Sequence, residues 1–472
     1  MKKALFILLL VGALAKATLL TSGCASIIPP SGGPRDSLPP VLVMARPPDL
    51  SRNFSSQKIV FTFDEYIQLK DVNSSLIVSP VPKTLPEVES KLKTLTVTLK
   101  DTLRPFTTYV LDFGKAIRDI NEGNILKNFR YVFSTGPYID SMELSGTVIM
   151  ASTGKPDSTL MALLYKHLDD SAVYNERPRY VARLDSSGHF LFRNITPGSY
   201  AIYALKDESG TYRYTSKTMP FAFLDSPILV LSRNAPVSLY AYSDTAGSAP
   251  VRKSSTTPAP AKRKKEDETN KRLSFSVNIS SGQFGLLDTM LFQFPVPLKS
   301  FDTSQIQLVD DQFQKVRNAH FLEDSTKKKV WLYNSWTADT RYHIVAAKEF
   351  AEDTSGRRLL KPDTLTFHTK RESEYGSLLL HFRNMDLSLN PVLLFVQKDV
   401  IKKTHIVRGK EVKYRLFEPG QYELRVLYDR NKNGVWDPGD FWTHKQPELV
   451  KPVSHKPINI KANWDNEYDI SL

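Results

Sequence analysis

The chain has 472 residues and a single cysteine, Cys24, which excludes an internal disulfide and any cysteine-built metal site or cysteine nucleophile. Its length is enough for several small domains, each with its own core. The formal net charge is +13, but much of the excess is local: Arg252, Lys253, Lys262, Arg263, Lys264, Lys265, Lys271 and Arg272 fall in one stretch beside Glu266, Asp267 and Glu268. That stretch reads as a solvated linker, and no nucleic-acid partner is expected.

The N-terminus has the layout of an export signal. Lys2 and Lys3 precede an apolar run from Ala4 to Ala15, which is too short to span a bilayer but suits a signal core. The run leads to Thr21-Ser22-Gly23-Cys24, which resembles a bacterial lipobox, although Leu20 lies one place further from the cysteine than usual and Lys16 interrupts the apolar run. The resemblance implies a signal peptide over 1–23, lipidation of Cys24 and a membrane as partner through the acyl chains. Residues 24–37, with Pro29-Pro30-Ser31-Gly32-Gly33-Pro34, cannot build a helix or a central strand and read as a tether.

Beyond the tether the chain is written twice. Lys58 to Leu69 alternates apolar and polar residues as a half-buried strand does, and Met290 to Leu298 repeats the pattern with Phe292 and Phe294 in the places of Phe61 and Phe63. Leu95–Leu99 matches Lys329–Tyr333, Thr107–Asp112 matches Asp339–Val345, and Phe129–Gly136 matches Asp363–Thr369. A second kind of unit follows each: Phe190 to Asp207 and Lys413 to Asp429 both read as strand, Pro-Gly turn, strand, predicted to fold back as a hairpin. The expected organisation is all-β, with units at 38–137, 138–246, 271–371 and 372–472 and a disordered linker at 247–270 rich in Ser, Thr, Pro, Ala and charge. Pro295 and Pro297 predict that the first strand of the third unit is an edge or a bulged strand.

Pro39-Pro40, Ile59 to Glu65, Val78-Ser79-Pro80, Thr107-Thr108-Tyr109 and Phe133-Ser134-Thr135 together resemble the bacterial Ig-like domain of S-layer and surface proteins. Leu144 to Val148 with the Ile195 to Tyr200 turn is similar to the transthyretin-like module of carboxypeptidase regulatory domains. The whole order, with Ser31 to Asp36 after a lipidated cysteine, resembles Ig-like-domain lipoproteins of Bacteroidetes. This implies tandem Ig-like and transthyretin-like β-sandwiches on a lipid-anchored outer-membrane protein whose partners are other envelope proteins. Ala25-Ser26-Ile27-Ile28 carries no acidic run, which in such lipoproteins favours the periplasmic face over the cell surface.

One segment has the spacing of a twelve-residue calcium loop: Asp429, Asn431, Asn433, the Val435 carbonyl, Asp437 and Asp440, with Gly434 at the reversal. Two readings stand for it, a calcium site and an Asn-Gly hairpin turn, and the strand before it favours the turn. Asp119 to Asn124 and Glu352 to Gly356 read as loops. The histidines show no metal-ligand spacing, and no nucleophile elbow, phosphate loop or dinucleotide fingerprint appears, so no catalytic residues are expected. Trp331, Trp336, Trp436 and Trp442 offer either core packing or a sugar-stacking surface. The expected function is a non-catalytic scaffold or accessory subunit of an outer-membrane complex; the alternative is a glycan- or peptide-binding module in nutrient uptake.

Overall fold

The computed structural model describes residues 35–231, 234–244, 272–453 and 456–472. Cys24, most of the tether and the 247–270 linker lie outside the described residues. The fold is all-β, and every sheet lies within one of four blocks, spanning residues 42–134, 142–241, 276–369 and 376–471. Among the described residues helical structure is confined to single turns, such as Val72–Ser75 and Ala172–Asn175.

The first and third blocks share a strand plan. In the first, Leu42–Arg46, Lys58–Phe63, Thr94–Thr98 and Glu87–Lys91 form one sheet in that spatial order. It faces a sheet of Ile77–Ser79, Thr108–Asp112 and Arg130–Ser134. The alternation read from Lys58 puts Ile59, Phe61 and Phe63 inward, where Phe61 meets Tyr131 edge-on at 5.1 Å between ring centres. The third block repeats this with Ser276–Val277, Met290–Gln293, Lys329–Tyr333 and His320–Glu323 against Ile306–Asp310, Arg341–Ala346 and Asp363–Thr369. Even the small accessory pair is repeated: Ile67–Leu69 with Ile117–Asp119, and Leu298–Phe301 with Ala351–Asp353.

Two expectations are corrected here. The strand Met290–Gln293 is neither an edge nor bulged, since it lies between Ser276–Val277 and Lys329–Tyr333 in unbroken register. It ends before Pro295 and Pro297, which occupy the crossing to the next strand, where no ladder bond is needed from their nitrogens. The Pro-Gly turns of the second and fourth blocks are not hairpins either. His189–Ile195 pairs with Met142–Met150, whereas Gly198–Leu205 pairs with Met161–Tyr165 in the opposite sheet. Glu411–Phe417 and Gly420–Tyr428 part in the same way, onto Gly376–Arg383 and Pro391–Gln397. Gly198 and Gly420 have φ of 150° and 148°, far from the values of a tight hairpin turn and open to residues without a Cβ. Each corner is tied by a tyrosine: Tyr200 donates to the Thr196 carbonyl at 2.8 Å and Tyr422 to the Glu418 carbonyl at 3.1 Å.

The second and fourth blocks are therefore two-layered. Each has a three-stranded sheet with one parallel pairing, Met142–Met150 beside Val237–Ala241 and Gly376–Arg383 beside Asp465–Ser471. Each has a five-stranded sheet: Tyr180–Arg183, Met161–Tyr165 and Gly198–Leu205 with Phe221–Phe223 and Ile228–Val230, and Val400–Ile406, Pro391–Gln397 and Gly420–Tyr428 with Leu449–Pro452 and Ile458–Ile460.

Candidate functional site

The central strands of the five-stranded sheets of the second and fourth blocks are buried on both faces. Leu164, Tyr200, Ile202 and Ala204 point into the core of the second block itself. Their neighbours Leu163, Tyr165, Tyr203 and Leu205 point the other way, into a core shared with Val392, Leu394, Val396 and Leu427 of the fourth block. Leu393, Phe395, Leu424 and Val426 fill the fourth block's own core. Alternate residues of a strand thus serve two different cores, which requires apolar side chains at nearly every position.

A long loop of the fourth block, 429–448, closes over this junction. Trp436 and Phe441 are buried in the shared core, and Phe441 lies 5.2 Å from the rings of both Phe221 and Phe223. Trp442 stacks on Tyr174 at 4.9 Å with 13° between the planes. The backbone is stitched across as well: Val450 N–H donates to the Ala151 carbonyl at 2.8 Å. Gln446 Nε2 donates to the Phe223 carbonyl at 3.2 Å and to Asp225 at 3.0 Å, and His444 meets Asp170 at 3.0 Å. Gly154 and Gly439 permit the approach, since a Cβ would lie 2.5 Å from the Val450 carbonyl oxygen at the first and 2.7 Å from the Tyr242 ring at the second.

At the edge of the shared core sits a charge network. Arg425, 3% exposed, donates to Glu423 at 2.7 Å and Asp399 at 2.8 Å, and Lys155 from the second block reaches the same two carboxylates at 2.9 and 3.2 Å. The Asp399 carboxyl is held below its ordinary value by its bonds to Arg425 and Lys155. Burial pushes Glu423 up, but the same two cations outweigh it and the net direction is down. The bond to Glu423 raises Lys155.

The loop's hydrogen bonds determine where the predicted ligands lie. Asp429, 2% exposed, accepts from the N–H of Asn433 at 3.3 Å and of Gly434 at 2.6 Å. Asn431 and Asn433 donate their amides to Asp437 at 2.5 and 2.9 Å, and the Asn433 carbonyl oxygen of the side chain accepts from Val435 N–H at 2.7 Å. Asp440 does not join them: its carboxylate accepts from Trp442 and Thr443 N–H and closes the next turn. Glu448, which the spacing did not nominate, is 2% exposed and braces the loop by accepting from Arg430 and Asp437 N–H. Among the described residues no three His, Cys, Asp or Glu side chains form a group able to hold a metal ion. Asp119 and Asp353 close their loops in the same manner, Asp119 accepting from Glu122, Gly123 and Asn124. Its burial raises the carboxyl, but those N–H donors outweigh it and leave the net shift downward.

The tryptophans do not gather on one surface. Trp336 packs on Phe284, Tyr342 and Phe367 in the third block, and Trp436 and Trp442 belong to the loop at the shared core. The described helices include none long and apolar enough to cross a membrane.

These features define a chain of tandem Ig-like β-sandwiches. Residues 36–135 match the family of the bacterial Ig-like domain. No curated protein sequence matches the chain. Among solved structures, the major pilin subunit BcpA of Bacillus cereus overlaps with a TM-score of 0.18 and 9% identity, over 70% of this chain and 99% of that one. The Bacillus anthracis TIE protein gives 0.17 and 9% over 94% and 76%. The N-terminal part of the bacterial S-layer protein SbsC gives 0.16 and 16% over 37% and 42%. Overlaps this low carry no argument about function.

Proposed function

We propose that the protein is a non-catalytic cell-envelope scaffold, anchored through lipid on Cys24 to the periplasmic face of the outer membrane, which braces or presents other envelope proteins. The carrying observation is the core shared by the second and fourth blocks, with Trp436 and Phe441 set into it. A chain that uses its largest apolar surfaces to lock its own two halves is built as a support. The most conspicuous aromatic cluster is consumed by that junction, which weighs against a sugar-stacking groove there. The Ig-like match of residues 36–135 supports the same reading, as a module type that serves many roles by carrying sites on a stable frame.

Two experiments test this. Cys24→Ser should leave the protein soluble or uncleaved in cell fractionation; unchanged membrane retention defeats the anchoring. Cross-linking in the native envelope should recover membrane proteins, whereas capture of free glycans on an array, with no protein neighbour, favours a binding module.

A further inference from the structure

A groove of about 540 Å³ lies where the first block meets the second. The first block contributes Lys83 and Arg104, and the second contributes Lys166, Arg177, Arg179 and Arg213. Among the described residues the only carboxylate lining it, Glu176, is occupied by His167 at 2.7 Å. Among the described residues none of the six cations has a carboxylate within ion-pair reach. This differs from the other face of the same junction, where Arg130 and Arg183 both approach Asp112, at 3.1 and 3.5 Å. Arg177 is fixed instead by donating to the Pro82 and Lys83 carbonyls at 2.8 and 2.9 Å, which leaves its charge unneutralised. The Nε of Arg213 is buried and has no hydrogen-bond partner.

Six like charges around one groove repel one another. A multivalent oxyanion relieves that repulsion. Guanidinium forks match phosphate oxygens in pairs, and the groove has the size of a small-molecule site. We infer that this groove binds a phosphate-bearing ligand of the diphosphate or phosphorylated-sugar class. The same chemistry is carried by a soluble sugar phosphate and by a phosphorylated lipid headgroup. Neither block alone makes the site, because the cations come from both.

The test uses the full chain. Inorganic pyrophosphate is titrated calorimetrically at about 0.15 M salt, where the screening length is about 8 Å and distant surface charge contributes little. R179Q/R213Q removes the deepest donors, and R104Q/K166Q removes two exposed cations whose loss does not threaten folding. Each pair should weaken binding about tenfold or more, as expected for lost hydrogen bonds to a charged group. K402Q/K410Q, which removes the same charge from the fourth block, should leave it unchanged. Flotation with phosphatidylglycerol vesicles against phosphatidylcholine vesicles separates the sources: binding to the anionic vesicles that R104Q/K166Q abolishes assigns the ligand to a headgroup, and pyrophosphate binding alone assigns it to a soluble phosphate. Absence of binding to both probes overturns the inference, as does an equal loss in K402Q/K410Q. Should R179Q/R213Q fail to fold, R104Q/K166Q carries the test.

Discussion

The loops at 206–220 and 429–448 occupy the same place in two copies of one fold, each running from the long central strand to its neighbour. Both begin with the same device. Asp207 accepts from Thr211 and Tyr212 N–H as Asp429 accepts from Asn433 and Gly434 N–H. They then diverge. The shorter loop stays on its own sheet and offers Tyr214, stacked on Phe221 at 4.2 Å, as a floor. The longer one carries Phe441 across the junction onto that floor and Trp442 onto Tyr174 beside it. A repeat can thus keep its strands while one copy's loop becomes the clasp for the other.

The comparison breaks most visibly by cutting the chain between the copies. Brief trypsin treatment should cleave within 247–270, which holds Arg252, Lys253 and Lys262 to Lys265, yet the two halves should migrate together on gel filtration because the shared core holds them. Separate elution without denaturant would show that each half is closed on itself. Phe441→Ala should cost about 3–5 kcal/mol, the usual range for emptying a buried aromatic site, and should release the nicked halves from each other. Tyr214→Ala, on the floor, should act in the same direction; a change in Phe441→Ala alone would mean that the clasp does not rest on the shorter loop.

Acid sharpens the comparison through Asp399 and Glu423. Both carboxyls are lowered in the folded chain, so their stabilisation is full above the ordinary carboxylate range and is lost as pH falls through the lowered folded values. Lys155 is raised, so its share is lost only as pH rises through a value above that of an ordinary lysine. The nicked halves should therefore stay together across neutral pH and separate more readily in acid, and Glu423→Gln should flatten that acid dependence. Gel filtration of the nicked chain across pH measures both.

The smallest effect is expected at the shared loop device. Asp429→Ala should cost about 1–3 kcal/mol, the desolvation left when the Asn433 and Gly434 N–H groups lose their acceptor. Thermal melts in calcium and in chelator distinguish the two readings of this loop. A loss of equal size in both belongs to the hydrogen-bonded turn; a calcium-dependent gain in the unaltered chain that Asp429→Ala abolishes belongs to a metal site. Asp207→Ala offers the matching measurement in the other copy.

Much of this was written in local sequence. Period-two alternation around Phe61 and Phe292, with turn residues between, defined strands whose inward faces can be read without any partner, because alternation is a property of one strand. Repetition then placed the same strands in both copies. The calcium-like spacing singled out Asp429, Asn431, Asn433 and Asp437 within one loop, but spacing does not report which N–H a carboxylate will accept from, and the Asp440 carboxylate accepts from those of Trp442 and Thr443. The Pro-Gly corners show the same limit: the turn is local, while the sheet each flanking strand joins depends on which edges stand free nearby.

One tertiary feature did leave a trace. Met161–Tyr165, Ala201–Leu205 and Pro391–Val396 are continuous apolar runs, which is the pattern of strands buried on both faces. The runs say that a second face must be covered. They do not say by what, since burial of apolar area is non-directional and any apolar sheet would serve. By itself the sequence determined strands, repeats and the demand for a second core; only the tertiary structure decided that the fourth block meets that demand, because the match of two surfaces far apart in the chain depends on their shapes in space.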